Sequence, residues 1–262
     1  MSSNDSKMYK LEDLYGQYTS AYEKIDDALS HIYLNFSCKG LMTHSGMARG
    51  NVKVTIESTA REALTELNRE CSECILDHLA NTYKDAYINL QRSIIKEVGY
   101  ENLNMKNHVN HRFDRANESY TSDFVENVTN RLFSDICFLM DRIVLDEIAY
   151  GKMSRTVSGE FGKAYERIMQ MVKCEEHRVT EMARYECAHE FASNGLSMFK
   201  TWNCVIGETR CEQHAHLDRT TVPMNDQFLS EDGQPCKMPW EIHTYGMSRP
   251  CTCFLMYGLA GK

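Results

Sequence analysis

Two short pairs of chelating side chains stand late in the chain, Cys211-x-x-His214 and Cys251-x-Cys253, with 36 residues between them. A structural zinc takes four sulfur or nitrogen donors in a tetrahedron, usually two from each of two turns, because a short spacer lets neighbouring side chains converge on one ion. Cys211, His214, Cys251 and Cys253 meet that count, so these four are the expected ligands of one structural zinc. Cys204, Cys236, His216 and His243 are further donors in the same stretch. The stretch has a motive for metal. Pro223, Pro235, Pro239 and Pro250, all the prolines of the chain, fall within it, and about 60 such residues would struggle to stabilise a core unaided.

Two other patterns resemble ligand sets and are read otherwise. His214-Ala-His216-Leu-Asp218 is close to the His-x-His-x-Asp-His run of two-zinc hydrolases, but Arg219 stands where that run needs histidine and only 44 residues follow Asp218. Cys71-x-x-Cys74-x-x-x-His78 falls on an apolar helical stripe, where small buried thiols pack as core. Cys38, Cys137, Cys174 and Cys187 are isolated and receive the same reading. Eleven cysteines behind a polar start, Met-Ser-Ser-Asn-Asp-Ser-Lys, lead us to expect reduced thiols in a chain that is not exported.

The elements that must position these residues are mostly helical. Leu11, Leu14, Tyr18, Ile25, Leu29, Ile32 and Phe36 are spaced three, four or seven apart, which puts them on one side of a helix. Lys39 to Gly50 reads as a turn. From about Asn51 to Val98 no proline or glycine occurs, so one very long helix, or two with a kink, is expected there. Gly99 to Asn117 reads as a loop, and a third helix carries Val125, Val128, Leu132, Ile136, Leu139, Ile143 and Ile148. Gly151 to Gly162 reads as an interruption before two shorter helices, at about Lys163 to Val172 and Glu175 to Phe199.

The expected fold is thus mainly α: an elongated bundle of long helices, residues 1–174, then residues 175–262, which comprise a helix at 175–199 and a small irregular α+β module at 200–262 that zinc would stabilise. Composition is that of an ordinary globular protein, with 42% apolar and 25% charged residues, which excludes collagenous and low-complexity classes. Net charge is −8 for the chain and −2 after residue 200, from 5 basic against 7 acidic residues. Neither value suits a dedicated nucleic-acid binder. The densest apolar run, Ile136 to Met140, falls far short of the ~18 residues that span a bilayer, so no membrane partner is expected.

One set of residues carries a family resemblance. Lys200-x-Trp202, then Thr209-Arg210-Cys211-x-x-His214-x-x-Leu217-Asp218, then Phe228 and Pro250-Cys251-x-Cys253, resembles the C-terminal domain of phage head morphogenesis proteins, the Mu F-like minor head proteins. Arg178-Val-Thr-Glu-Met-Ala-Arg184-Tyr-Glu186, with Asn194 downstream, is similar to the helix that precedes it in that family. The resemblance covers about residues 175 to 255. Three positions depart from the family pattern: His214 replaces a second cysteine, Arg219 a glycine, and Thr252 an arginine.

The resemblance implies a minor structural protein of a tailed-phage virion, bound to the portal protein and acting in head assembly, DNA packaging or ejection. It also implies contact with the major capsid protein and packaged DNA, and location in the capsid interior or at the portal vertex, with host cytoplasm as the place of assembly. Such a protein works by binding and is not an enzyme. The alternatives are a toxin-type or ADP-ribosyltransferase-like enzyme built on the same module, and a zinc-containing DNA-binding module. No Gly-rich phosphate loop or nucleophile elbow supports the first. Arg178, Glu181, Arg184 and Glu186 are read as helical ion pairs and not as catalytic groups.

Overall fold

Apolar side chains at helical spacing dominate the first two hundred residues, and burying them requires helices packed on helices. The computed structural model describes residues 11–37, 46–99, 113–146, 150–205, 212–231, 233–240 and 251–260. Four long helices, α1 (Leu14–Ser37), α2 (Gly46–Val98), α3 (Phe113–Asp146) and α4 (Tyr150–Ser193), precede a small module that contains strands. The chain is mainly helical, as its periodicity predicts.

α2 is one helix of 53 residues that starts at Gly46, so the later part of the expected turn is helical. α3 likewise begins at Phe113, within the expected loop. The larger correction concerns α4, an unbroken helix of 44 residues where an interruption and two shorter helices were expected. Each interior glycine costs a helix about 1 kcal/mol relative to alanine. Against that stand Met153, Val157, Phe161, Ala164 and Ile168, all buried and three or four residues apart on one face. Their burial, about 1.5–3 kcal/mol for each large side chain, outweighs the glycines. The same helix stops at Ser193, so Met198 and Phe199 belong to a strand and not to the expected helix 175–199.

Two compact units share the helices. One comprises residues up to His78 and Arg115–Met171. Its core takes Leu14, Tyr18, Ile25 and Leu29 from α1, Ile56, Leu64 and Leu67 from α2, and Val125, Leu132 and Ile136 from α3. Tyr18 meets Phe161 and Tyr165 edge to face, with centroids 6.4 and 5.6 Å apart. Cys71 and Cys74 are fully buried in this core. Burial pushes the Cys74 thiol up to about 11 and the Cys71 thiol higher still, which is the behaviour of packed thiols.

The other unit comprises Leu79–Asp114 and Val172–Lys262. Tyr83 and Tyr87 on α2 donate from their hydroxyls to Glu186 and Glu190 on α4. Equal four-residue steps on both helices show that the two run in the same direction here. α4 ends in a Schellman turn: the Leu196 amide donates to Phe191 O at 3.1 Å and the Gly195 amide to Ala192 O at 3.0 Å. Gly195 has φ +95°, which only glycine adopts without penalty. The chain then enters β1 (Met198–Asn203), the centre of a three-stranded antiparallel sheet in the order β2 (Thr221–Pro223), β1, β5 (Phe254–Leu259). β3 (Phe228–Leu229) and β4 (Pro235–Cys236) form a separate hairpin.

Gly159 and Gly162 are exposed on α4, and a Cβ at either would meet nothing within 4 Å. Alanine at each is expected to raise the unfolding free energy by about 0.5–1 kcal/mol. Thermal denaturation of the two variants checks this, and a lowered midpoint in both would contradict a continuous helix.

Candidate metal centre

The module has a thin core, and its residues are the ones that could do chemistry. Trp202, Cys204, Leu217, Phe228, Cys236, Cys251, Cys253 and Leu255 form a single buried cluster. Alternation along β1 turns Met198, Lys200 and Trp202 inward. Trp202 is sealed by His214 and Phe228, each edge-on with centroids 5.2 and 5.1 Å away.

Against this core His214, Cys251 and Cys253 converge, with their ligand atoms all within 4.8 Å of one another and all three side chains buried. His214 is held on a 3-10 helix, Glu212–Leu217. Its Nδ1 lies 3.4 Å from Cys251 Sγ and 3.7 Å from Cys253 Sγ. The two cysteines sit two residues apart on the extended chain that leads into β5, which puts both side chains on one face. One imidazole and two thiols in a dry pocket could hold a metal ion. Cys211, the remaining member of the expected quartet, lies outside the described residues, as does His243.

Cys204 abuts this triad. The Cys253 thiol donates to Cys204 Sγ at 3.3 Å, and the Cys204 thiol to the His214 carbonyl, also at 3.3 Å. Burial pushes the Cys204 thiol up to about 12. The Cys253 thiol is raised to about 12 by its hydrogen bond with Cys251 and then by burial. At neutral pH these thiols keep their protons, which a bound metal would have to displace.

The other histidine and acid of the hydrolase-like run are engaged elsewhere. His216 is exposed, with Nε2 3.2 Å from Leu229 O. Asp218 Oδ1 accepts from the Cys204 amide at 2.9 Å and fixes the end of β1. Arg219, which stands where the resemblance has glycine, has φ +63°. Its amide donates to Trp202 O at 2.7 Å, so the left-handed turn is part of how the site closes.

The helical cluster near residue 180 divides its tasks. Arg184 pairs with Glu181 and Arg178 with Glu175, at 2.8 and 2.7 Å. Glu186 accepts from Tyr83. Sequence reasoning missed that Glu181 also reaches the module: buried, its Oε2 accepts from the Leu255 amide at 2.8 Å. One turn earlier His177 Nε2 lies 2.9 Å from the carbonyl oxygen of Cys253. α4 thereby grips β5 at the sheet's edge, on both sides of Phe254. Histidine and glutamate four residues apart were the available signal, since that spacing places both on one helix face.

Lys200 is a second buried polar group of the module. Its Nζ donates to Lys237 O at 2.9 Å and lies 5.1 and 5.2 Å from the ring centroids of Tyr185 and Phe228. Cation–π attraction and the carbonyl offset its desolvation.

No protein-family model, curated protein or solved structure matches the chain.

Two outcomes are expected. Glu181→Ala removes the acceptor of a buried amide and the partner of Arg184, and should lower stability by about 2–4 kcal/mol in urea denaturation. A change under about 0.5 kcal/mol would mean that this carboxylate does not hold the strand. Arg219→Gly should leave stability unchanged or raise it by up to about 1 kcal/mol, while Arg219→Val should lower it by about 1–2 kcal/mol, because a β-branched residue tolerates positive φ worst. Equal melting temperatures for the two variants would argue against the left-handed turn.

Proposed function

We propose that the chain is a minor structural protein of a tailed-phage head that binds the portal protein, with a zinc ion stabilising its terminal module. The observation that carries this reading is the convergence of the resembling residues. Trp202, Leu217, Phe228, Cys251 and Cys253 lie far apart in sequence yet belong to one buried cluster, and Arg219 adopts the backbone that a glycine would take. Residues that meet in one core are what a shared fold would require of the resembling positions.

The donor set favours zinc. Tetrahedral zinc, about 2.3 Å from sulfur and about 2.0–2.1 Å from nitrogen, would set a bound sulfur and nitrogen about 3.6 Å apart. The 3.4 and 3.7 Å separations at His214 Nδ1 bracket that value. Such an ion would link the 3-10 helix to the strand that α4 holds, and would add its binding free energy to folding.

Isolation of heads tests the function. Purified particles should contain the chain, and a pull-down should retain the portal protein of the same genome. Cys251→Ser should reduce incorporation by loosening the module, seen as raised protease sensitivity of the free protein. Particles without the chain would refute the reading. A catalytic turnover that disappears in Glu186→Gln with the fold intact would put the enzyme reading in its place, and a strongly salt-dependent affinity for duplex DNA would favour the DNA-binding module.

A further inference from the structure

We infer that Cys204 is the fourth ligand of the metal site, completing a centre of one histidine and three cysteines for a tetrahedral, thiolate-preferring cation such as zinc. The inference rests on the metal reading of His214, Cys251 and Cys253.

Strand register is the first reason. β1 and β5 pair antiparallel with Trp202 opposite Leu255 and Asn203 opposite Phe254. One further step along both chains puts Cys204 opposite Cys253. The ladder ends at Asn203–Phe254, and just beyond it Cys204 Sγ lies beside Cys253 Sγ at the edge of the triad, with Asp218 fixing the Cys204 amide there.

Distance and burial are the second. Two sulfurs on one tetrahedral zinc would be about 3.8 Å apart, and Cys204 Sγ already lies 3.3 Å from Cys253 Sγ. That pair need open by only about half an ångström, while Cys204 must also close on His214 and Cys251, whose mutually close triad with Cys253 does not yet include it. His214, Cys251 and Cys253 are 2%, 1% and 0% exposed, so a three-ligand ion at this depth would have its open position facing core and not solvent. Structural zinc sites are closed by protein donors. Cys204 is a described donor whose sulfur touches the triad, at Cys253.

Binding then proceeds without redox change. Three S–H bonds break, three protons leave to solvent, and three sulfur–metal bonds and one nitrogen–metal bond form. Cys204 gives up its hydrogen bond to the His214 carbonyl and Cys253 its bond to Cys204. The centre has net charge −1, from a divalent cation and three thiolates.

Titration of the metal-free, full-length chain with cobalt(II) alone tests the assignment, because the thiolate-to-cobalt absorption scales with the number of bound sulfurs. Cys204→Ser should reduce that absorption to two thirds of the wild-type value and weaken cobalt binding by at least about tenfold. Cys211→Ser should change neither. In the wild-type chain, so that no variant need fold, alkylation mapped by mass spectrometry should show Cys204 protected by cobalt together with Cys251 and Cys253, and Cys211 equally modified with or without it. If Cys211 is protected and Cys204 is not, or if Cys211→Ser takes the absorption away, the assignment is overturned while the metal reading stands. A wild-type chain that takes up no cobalt overturns the metal reading itself.

Discussion

The antiparallel register between β1 and β5 is the constraint on which the site depends. Six pairs, from Met198 opposite Leu259 to Asn203 opposite Phe254, fix which side chains face the core. A slip of one residue would turn Lys200 and Trp202 outward and separate Cys204 from Cys253. β1 receives its register from the Schellman turn at Gly195 on one side and from the Asp218 carboxylate on the other. β5 receives it from α4, where Glu181 accepts from the Leu255 amide and His177 meets the Cys253 carbonyl. The site is therefore positioned by bonds to backbone groups and not by contacts among the ligand side chains.

Much of the helical region could be read from residues, because burial alone decides it. Leu14, Tyr18, Ile25 and Leu29 were expected to share one face of a helix and are all buried in α1. The misreading of α4 has a definite origin. Glycine is a strong local signal, and Gly159 and Gly162 suggested a break, yet they sit on the exposed face while Val157, Phe161 and Ala164 pack inward. Local propensity lost to tertiary burial, which a linear reading of glycines does not weigh.

The site was visible only in part for a different reason. His214, Cys251 and Cys253 were found because short spacers advertise chelation. Cys204 has no such spacer; it comes from ten residues before His214, and strand pairing brings it beside Cys253. Glu181 was expected in a helical ion pair and pairs with Arg184, but that pair accounts for one carboxylate oxygen only. The second oxygen bonds an amide 74 residues away; the four-residue spacing of His177 and Glu181 marks a shared helix face but does not say which strand that face meets.

The two tiers of the module divide the work between permanent and conditional interactions. A buried carboxylate that pairs with arginine and accepts an amide is in place whenever the chain is folded, since leaving that amide without an acceptor would cost about 1–3 kcal/mol. The thiols behave otherwise. With Cys204 and Cys253 both raised to about 12, they satisfy one another as neutral donors and acceptors through Cys253 to Cys204 to the His214 carbonyl. A soft divalent cation would replace that chain of weak S–H bonds with stronger bonds among side chains already positioned. Because α4 and Asp218 hold β5 and the end of β1 beforehand, the ion would meet ligands whose ordering entropy has largely been spent. On the metal reading, the bonds to α4 and Asp218 would position the ligands and the ion would tighten the module.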